Sequence, residues 1–134
     1  MRIIVDANII ISAGLFPESN VGKALSHIVK NHKLVLCQNT LDELKEVFKN
    51  KFSSRNDYLS NFLNNLKYEL IDITIKDYSK YPQIRDSDDM PLLANAIESK
   101  VNIIITGDKD FDEIIIASPI IMKPKEYIEK YMIK

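Results

Sequence analysis

The sequence is short of the residues that cross-link or interrupt a chain. Of its 134 residues only one is cysteine, Cys37, so no internal disulfide can form and no cysteine-built zinc site is available. With two histidines besides, a transition-metal site would lack ligands, and any resident metal must be a hard ion held by oxygen. Three glycines and five prolines argue against a loop-rich all-β design. No stretch approaches the ~20 apolar residues of a membrane span. Residues 3–16 are apolar on average, but Asp6 and Asn8 interrupt them and Pro17-Glu18 is a poor cleavage context. No membrane association, no export signal and a cytoplasmic location are therefore expected. Neither sign of charge dominates: 18 Lys and Arg face 19 Asp and Glu, a net charge of −1. Bulk charge thus points to no nucleic-acid partner, and local clusters must make that case. A P-loop nucleotidase is excluded, since no Gly-rich Lys-Ser/Thr segment occurs.

What is present suits one globular domain over residues 1–134. Apolar residues make up 46% and charged residues 28%, ordinary proportions for a soluble core-forming chain. Strand-like and helix-like segments alternate. Strands are expected at Arg2–Val5, Leu34–Cys37, Glu69–Thr74, Asn102–Thr106 and Ile114–Ile121. Helical spacing joins Val21, Ala24, Leu25 and Ile28, with Asn20 as N-cap, and then Leu41, Leu44, Val47 and Phe48. Further helices are expected over residues 55–68 and 88–100, and Pro124 opens a last short one ending near Met132. The apolar runs are continuous rather than alternating, as in strands buried on both faces. The fold class that follows is α/β: a three-layer α/β/α sandwich with a central, mainly parallel sheet of about five strands.

The acidic residues carry the functional signal by their placement. In such a sheet, ligands bind beyond the carboxyl ends of the strands. Asp6 ends the first strand and Asp108 the fourth, with Asp110 close behind. Taken alone, Asp6 stands equally as a helix cap, and Asp108 as a turn residue. In Arg85-Asp86-Ser87-Asp88-Asp89, the helical face of Leu92, Leu93, Ala96 and Ile97 passes through Asp89 and misses Asp88. Asp89 must therefore point into the structure or a pocket, where an unpaired carboxylate is costly and needs a cation. Helix capping accounts for Asp88. Thr40-Leu41-Asp42-Glu43 has the form of a capping box, in which Glu43 bonds back to Thr40. Glu43 also lies at the margin of the apolar stripe, so residue geometry leaves it between cap and site. Four acids, Asp6, Glu43, Asp89 and Asp108, can thus converge at one sheet edge. Mg²⁺ or Mn²⁺ would relieve their repulsion, acidify a water and stabilise the leaving oxygen of a phosphodiester.

Four stretches together resemble the PIN domain family: Ile4-Val5-Asp6-Ala7-Asn8, Thr40-Leu41-Asp42-Glu43-Leu44, Arg85-Asp86-Ser87-Asp88-Asp89, and Ile105-Thr106-Gly107-Asp108-Lys109-Asp110-Phe111. The last is the most specific, and the resemblance covers essentially the whole chain. It is nearest to the small prokaryotic, VapC-like members described as toxins of toxin–antitoxin pairs. The resemblance implies a metal-dependent endoribonuclease on an α/β/α fold. It places the family's acids on Asp6, Glu43, Asp89 and Asp108, with Asp110 a frequent companion among the metal ligands and Asp86 open as an outer residue. It also implies an RNA substrate, an antitoxin partner and a homodimer as expectations. Ala7 stands where many members carry Thr or Ser.

Arg85 and Lys109 flank the acids and are candidates for phosphate contact or charge balance. Lys45 and Lys49, with Lys51 and Arg55, form a cationic patch that could track an RNA backbone, the alternative being a solvated helix end. His27 and His32 have no evident acid–base partner, and Cys37 is expected in the core. Two other readings compete. A phosphoacceptor receiver needs paired acids after the first strand and an Asp after the middle one; here Asp6 precedes Ala-Asn, and Cys37 precedes Gln-Asn. A non-catalytic binding domain of the same fold would not need all four acids.

Overall fold

Isoleucine and valine supply the strands, because branching at Cβ suits a pleated surface packed on both sides. The structure, a computed structural model, describes residues 1–133. The strands β1 (Arg2–Val5), β2 (Lys33–Cys37), β3 (Glu69–Ile71), β4 (Ile103–Ile105) and β5 (Ile120–Met122) form one sheet in the order β3-β2-β1-β4-β5. Every pairing is parallel. Alternate residues of each strand feed two cores. Ile3, Val5, Leu34, Leu36, Ile103 and Ile105 pack beneath α1 (Ala7–Leu15), α2 (Asn20–Asn31), α3 (Gln38–Asn50), α4 (Asn56–Asn65) and α6 (Pro124–Tyr127). Ile4, Val35, Cys37 and Ile104 pack on the other face beneath α5 (Met90–Glu98), Ile84 and Phe111. The expected three-layer sandwich with a parallel five-stranded sheet is therefore the fold. Among the described residues no helix is long and apolar enough to cross a membrane.

The element boundaries differ in instructive ways. Residues 7–15, which no periodicity in the sequence marks as an element, form α1. Ala7, Ile9, Ile10, Ala13 and Gly14 are all buried, so the helix has little polar face and shows no clear periodicity. Ser19, not Asn20, caps α2: its Oγ accepts from Gly22 N at 3.1 Å. That tight start leaves Gly22 no room for a side chain, since a Cβ there would lie 2.4 Å from the carbonyl oxygen of Pro17. β3 stops at Ile71 rather than Thr74, and the amide of Ile73 is taken by the side-chain oxygen of buried Asn95 at 3.0 Å. The strand expected over Ile114–Ile121 is confined to Ile120–Met122. Pro119 has no N–H to give a ladder, and Ile115 before it is 94% exposed. α5 begins only at Met90, after a single 3₁₀ turn at Ser87–Asp89. Pro124 opens α6 as expected, and the helix continues as a wider turn through Met132.

Candidate metal centre

The strand order reverses between β1 and β4, and the crevice at such a switch is where an open parallel sheet binds ligands. The register pairs Val5 with Ile105, so the next residues, Asp6 and Thr106, emerge side by side. Asp6 works with both oxygens. Its Oδ1 accepts from Ile9 N at 3.0 Å and caps α1, while its Oδ2 accepts from the Thr106 hydroxyl. The two roles that sequence left as alternatives for Asp6, cap and site, are thus compatible. Thr106 Oγ1 accepts in turn from Asp108 N at 3.1 Å, and Asp108 Oδ1 accepts from Asp110 N at 2.9 Å. This relay fixes three acids along one edge. Thr106 has no role evident from its motif alone; its signal in the sequence is a hydroxyl at the end of an apolar strand, where a polar group, here 2% exposed, needs a partner.

A cleft of about 60 Å³ opens above the relay. Asp6, Glu43, Asp89 and Asp108 all line it, joined by Asp88 and by Asn8, Asn39 and Thr40. Glu43 reaches it because the expected capping box does not form. α3 starts upstream at Gln38, its N-cap Cys37 makes no side-chain cap bond, and the Thr40 hydroxyl pairs instead with Cys37 Sγ at 3.3 Å. The cap at the start of the next segment is also reassigned. Asp86, rather than Asp88, caps the Ser87–Asp89 turn by accepting from Asp88 N at 3.0 Å.

Burial raises three carboxyls of this cleft. Asp6 is lifted by desolvation, against the opposing pull of Thr106, and the charge of Asp108 adds to the rise. Glu43 is lifted by desolvation and by the charges of Asp6, Asp88 and Asp86. Asp89 is pushed up to about 7 by burial, by the neighbouring Asp108 carboxyl and by Asp86 and Asp110. Its Oδ2 is buried without a hydrogen-bond partner. A lone buried carboxylate oxygen among like charges fits a site built for a cation.

A second grouping overlaps the first. Asp86, Asp89 and Asp110 each offer an oxygen, and these lie within 4.8 Å of one another. Asp89 therefore belongs to both sets, and Asp86 stands nearer than the outer position the sequence suggested. The donors are all carboxylate oxygens, which suits a hard divalent ion. Arg85 leans over this trio, its Nε donating to Asp110 Oδ1 at 2.9 Å, while the rest of its side chain is 85% exposed. Lys109 is exposed between Asp108 and Asp110. Lys45 and Lys49 are exposed on α3 and do not line the cleft.

Comparison with known proteins gives the family. Residues 2–110 match the family described as PIN domain. The chain is 30% identical over 145 aligned positions to the uncharacterized protein MJ1680 of Methanocaldococcus jannaschii, covering 98% of this chain and 92% of that protein. Its fold is similar to a chain in the crystal structure of VapBC2 from Rickettsia felis bound to a DNA fragment from their promoter. The TM-score is 0.71 at 20% identity, over 92% of this chain and 98% of that one. The acids at the β1 and β4 ends fall inside the matched region, and on that match the chain belongs to the PIN domain family.

Proposed function

We propose that the protein is a Mg²⁺- or Mn²⁺-dependent endoribonuclease and the toxin of a toxin–antitoxin pair. One observation carries the reading: Asp6, Glu43, Asp89 and Asp108 share one cleft, and the buried Oδ2 of Asp89 has no partner there. Family membership and the likeness to a VapBC2 chain support it. Asp6, Asp89 and Asp108 would hold the cation, with Asp110 beside them. A bound divalent ion supplies the acidity that makes water a nucleophile at neutral pH and the charge that steadies a leaving oxygen.

The chain's own groups do the rest. Thr106 and the Ile9 amide hold the Asp6 carboxylate in one orientation. Glu43, at the rim, orients the attacking water and takes its proton, a task suited to a carboxyl raised above its ordinary value. Arg85 and Lys109 receive the RNA phosphates flanking the cut, and Lys45 and Lys49 extend the cationic track along α3. Water oxygen adds to phosphorus as Glu43 takes its proton, the bond to the 3′-oxygen breaks, and that oxygen takes a proton from solvent as it leaves. The products are 5′-phosphate and 3′-hydroxyl ends. An antitoxin covering this cleft, a homodimer and a cytoplasmic location complete the proposal.

The test incubates the purified protein and its Asp6→Asn and Asp89→Asn variants with total cellular RNA and Mn²⁺, and measures Mn²⁺ affinity on the same samples. Cleavage by the wild type alone is expected. Unchanged cleavage by both variants would sink the assignment of the acids. Failure of the wild type to bind Mn²⁺ would transfer the reading to a non-catalytic binding domain.

A further inference from the structure

Beside the acidic cleft lies a larger hollow of about 380 Å³, between the carboxyl ends of β4 and β5. Asp108 lines both, so the two adjoin at that residue. The volume falls within the roughly 300–1,000 Å³ of small-ligand sites. Ile114 and Ile121 give it an apolar wall, and both are only half-buried, so that wall faces the opening. The rim is polar and built from Asp112, Lys123 and Glu126. Lys123 Nζ lies 3.4 Å from Asp112 Oδ2, and Glu126 Oε1 accepts from Lys123 N at 3.0 Å. The second oxygen of each carboxylate has no bond among the described residues.

The charge of this lining selects its ligand. Two carboxylates, Asp112 and Glu126, face one ammonium, with Asp108 on the side shared with the acids, so an anionic group is disfavoured within the hollow. Carboxylates accept from N–H groups, and the ammonium donates to one carbonyl oxygen. The matching ligand is a flat, uncharged ring with an apolar face, adjacent N–H donors and a neighbouring acceptor. Among RNA bases guanine has that edge: N1–H and the exocyclic amine beside O6. Bases splayed out of single-stranded RNA are read through such edges. We infer that the hollow binds a guanine of the RNA, in the nucleotide adjoining the phosphate held over the acids. The guanine pocket rests on the ribonuclease reading for its place beside the cut, and it makes Asp112 and Lys123 the specificity-determining pair.

The experiment separates the two readings. Guanosine, a neutral nucleoside, is titrated in metal-free buffer into protein carrying ¹³C-labelled isoleucine methyl groups. The methyls of Ile114 and Ile121 are expected to shift with guanosine and to shift far less with uridine at equal concentration. Asp112→Asn should weaken guanosine binding several-fold while Mn²⁺ affinity stays within a few-fold. In a second arm, total RNA is cut with Mn²⁺ present and the ends are sequenced; guanine should be enriched at one position flanking the cut, and Asp112→Asn should lose the enrichment. Equal response to guanosine and uridine, or no response of these two methyls, overturns the pocket whatever the RNA does. Guanosine binding without any RNA cleavage supports the pocket and removes the nuclease reading. Cleavage without base preference and without methyl shifts does the opposite.

Discussion

Replacing Asp89 by Asn should make the metal-free protein more stable, and by an amount that depends on pH. The folded chain holds the Asp89 carboxyl at about 7 against an ordinary 3.8. A raised carboxyl binds its proton more tightly in the folded state. Its penalty is therefore absent below the unfolded value, grows as pH rises from 3.8 to about 7, and stays constant above. A fully dry carboxyl shifted that far would cost the fold ~4 kcal/mol. Asp89 is only partly buried and solvent screens it, so ~2 kcal/mol remains. For a domain of this length that corresponds to a rise in Tm of about 6–10 °C. Asn keeps the shape, and no helix cap is lost, because Asp89 makes no side-chain cap bond. The assay is thermal unfolding followed by circular dichroism, in chelator, from about pH 4 to about pH 8. The two curves should coincide at the acid end and separate progressively, the variant being the more stable at the alkaline end. Saturating Mn²⁺ should reverse the order, since ligand at 100 times its Kd adds about 2.7 kcal/mol to the wild type. A gap that does not change with pH, or a variant less stable at about pH 8 without metal, would refute the reasoning.

Four further outcomes follow from the same geometry. Mn²⁺ affinity of the wild type, read by calorimetry, should climb with pH and level off above about 7, as Asp89 surrenders its proton. Arg85→Gln should bind Mn²⁺ a few-fold more tightly, because the guanidinium no longer occupies Asp110 Oδ1, while RNA affinity in a filter-binding assay falls. Asp6→Ala should be less stable than Asp6→Asn by about 1 kcal/mol in chemical denaturation, since Asn retains the oxygen that caps Ile9 N. Gly22→Ala should destabilise by about 1–3 kcal/mol in the same assay, the collision with the Pro17 carbonyl outweighing the ~1 kcal/mol that alanine brings to a helix interior.

The parallel sheet was legible because its strands are apolar without alternation, which only two-sided burial permits. Asp6 and Asp108 were legible as acids directly after such strands, and Asp89 as an acid on the apolar side of its helix. α1 was not, since a helix covered by α2, α3 and α4 needs no polar face and leaves no period to read. The run of three isoleucines before Pro119 carried strand propensity without a neighbour able to complete a ladder. The Thr40–Glu43 box has the right spacing, yet it caps only a helix that begins there, and α3 begins at Gln38. Thr106 owes its role to Asp6, 100 positions away, and although Arg85 was legible beside the acids as a charge-balancing cation, its partner Asp110 lies 25 positions on. Local pattern holds no record of such pairs.

The pairing of β1 with β4 also sets when the cleft can come into being. β1 precedes every other described element, and its partner on that side, β4, follows about a hundred residues later. A growing chain thus has Asp6 held only by the start of α1, and not by Thr106, until residues beyond Ile105 have emerged, and Asp108 arrives only with them. The carboxylates cannot meet on a partial product, whatever ions surround it.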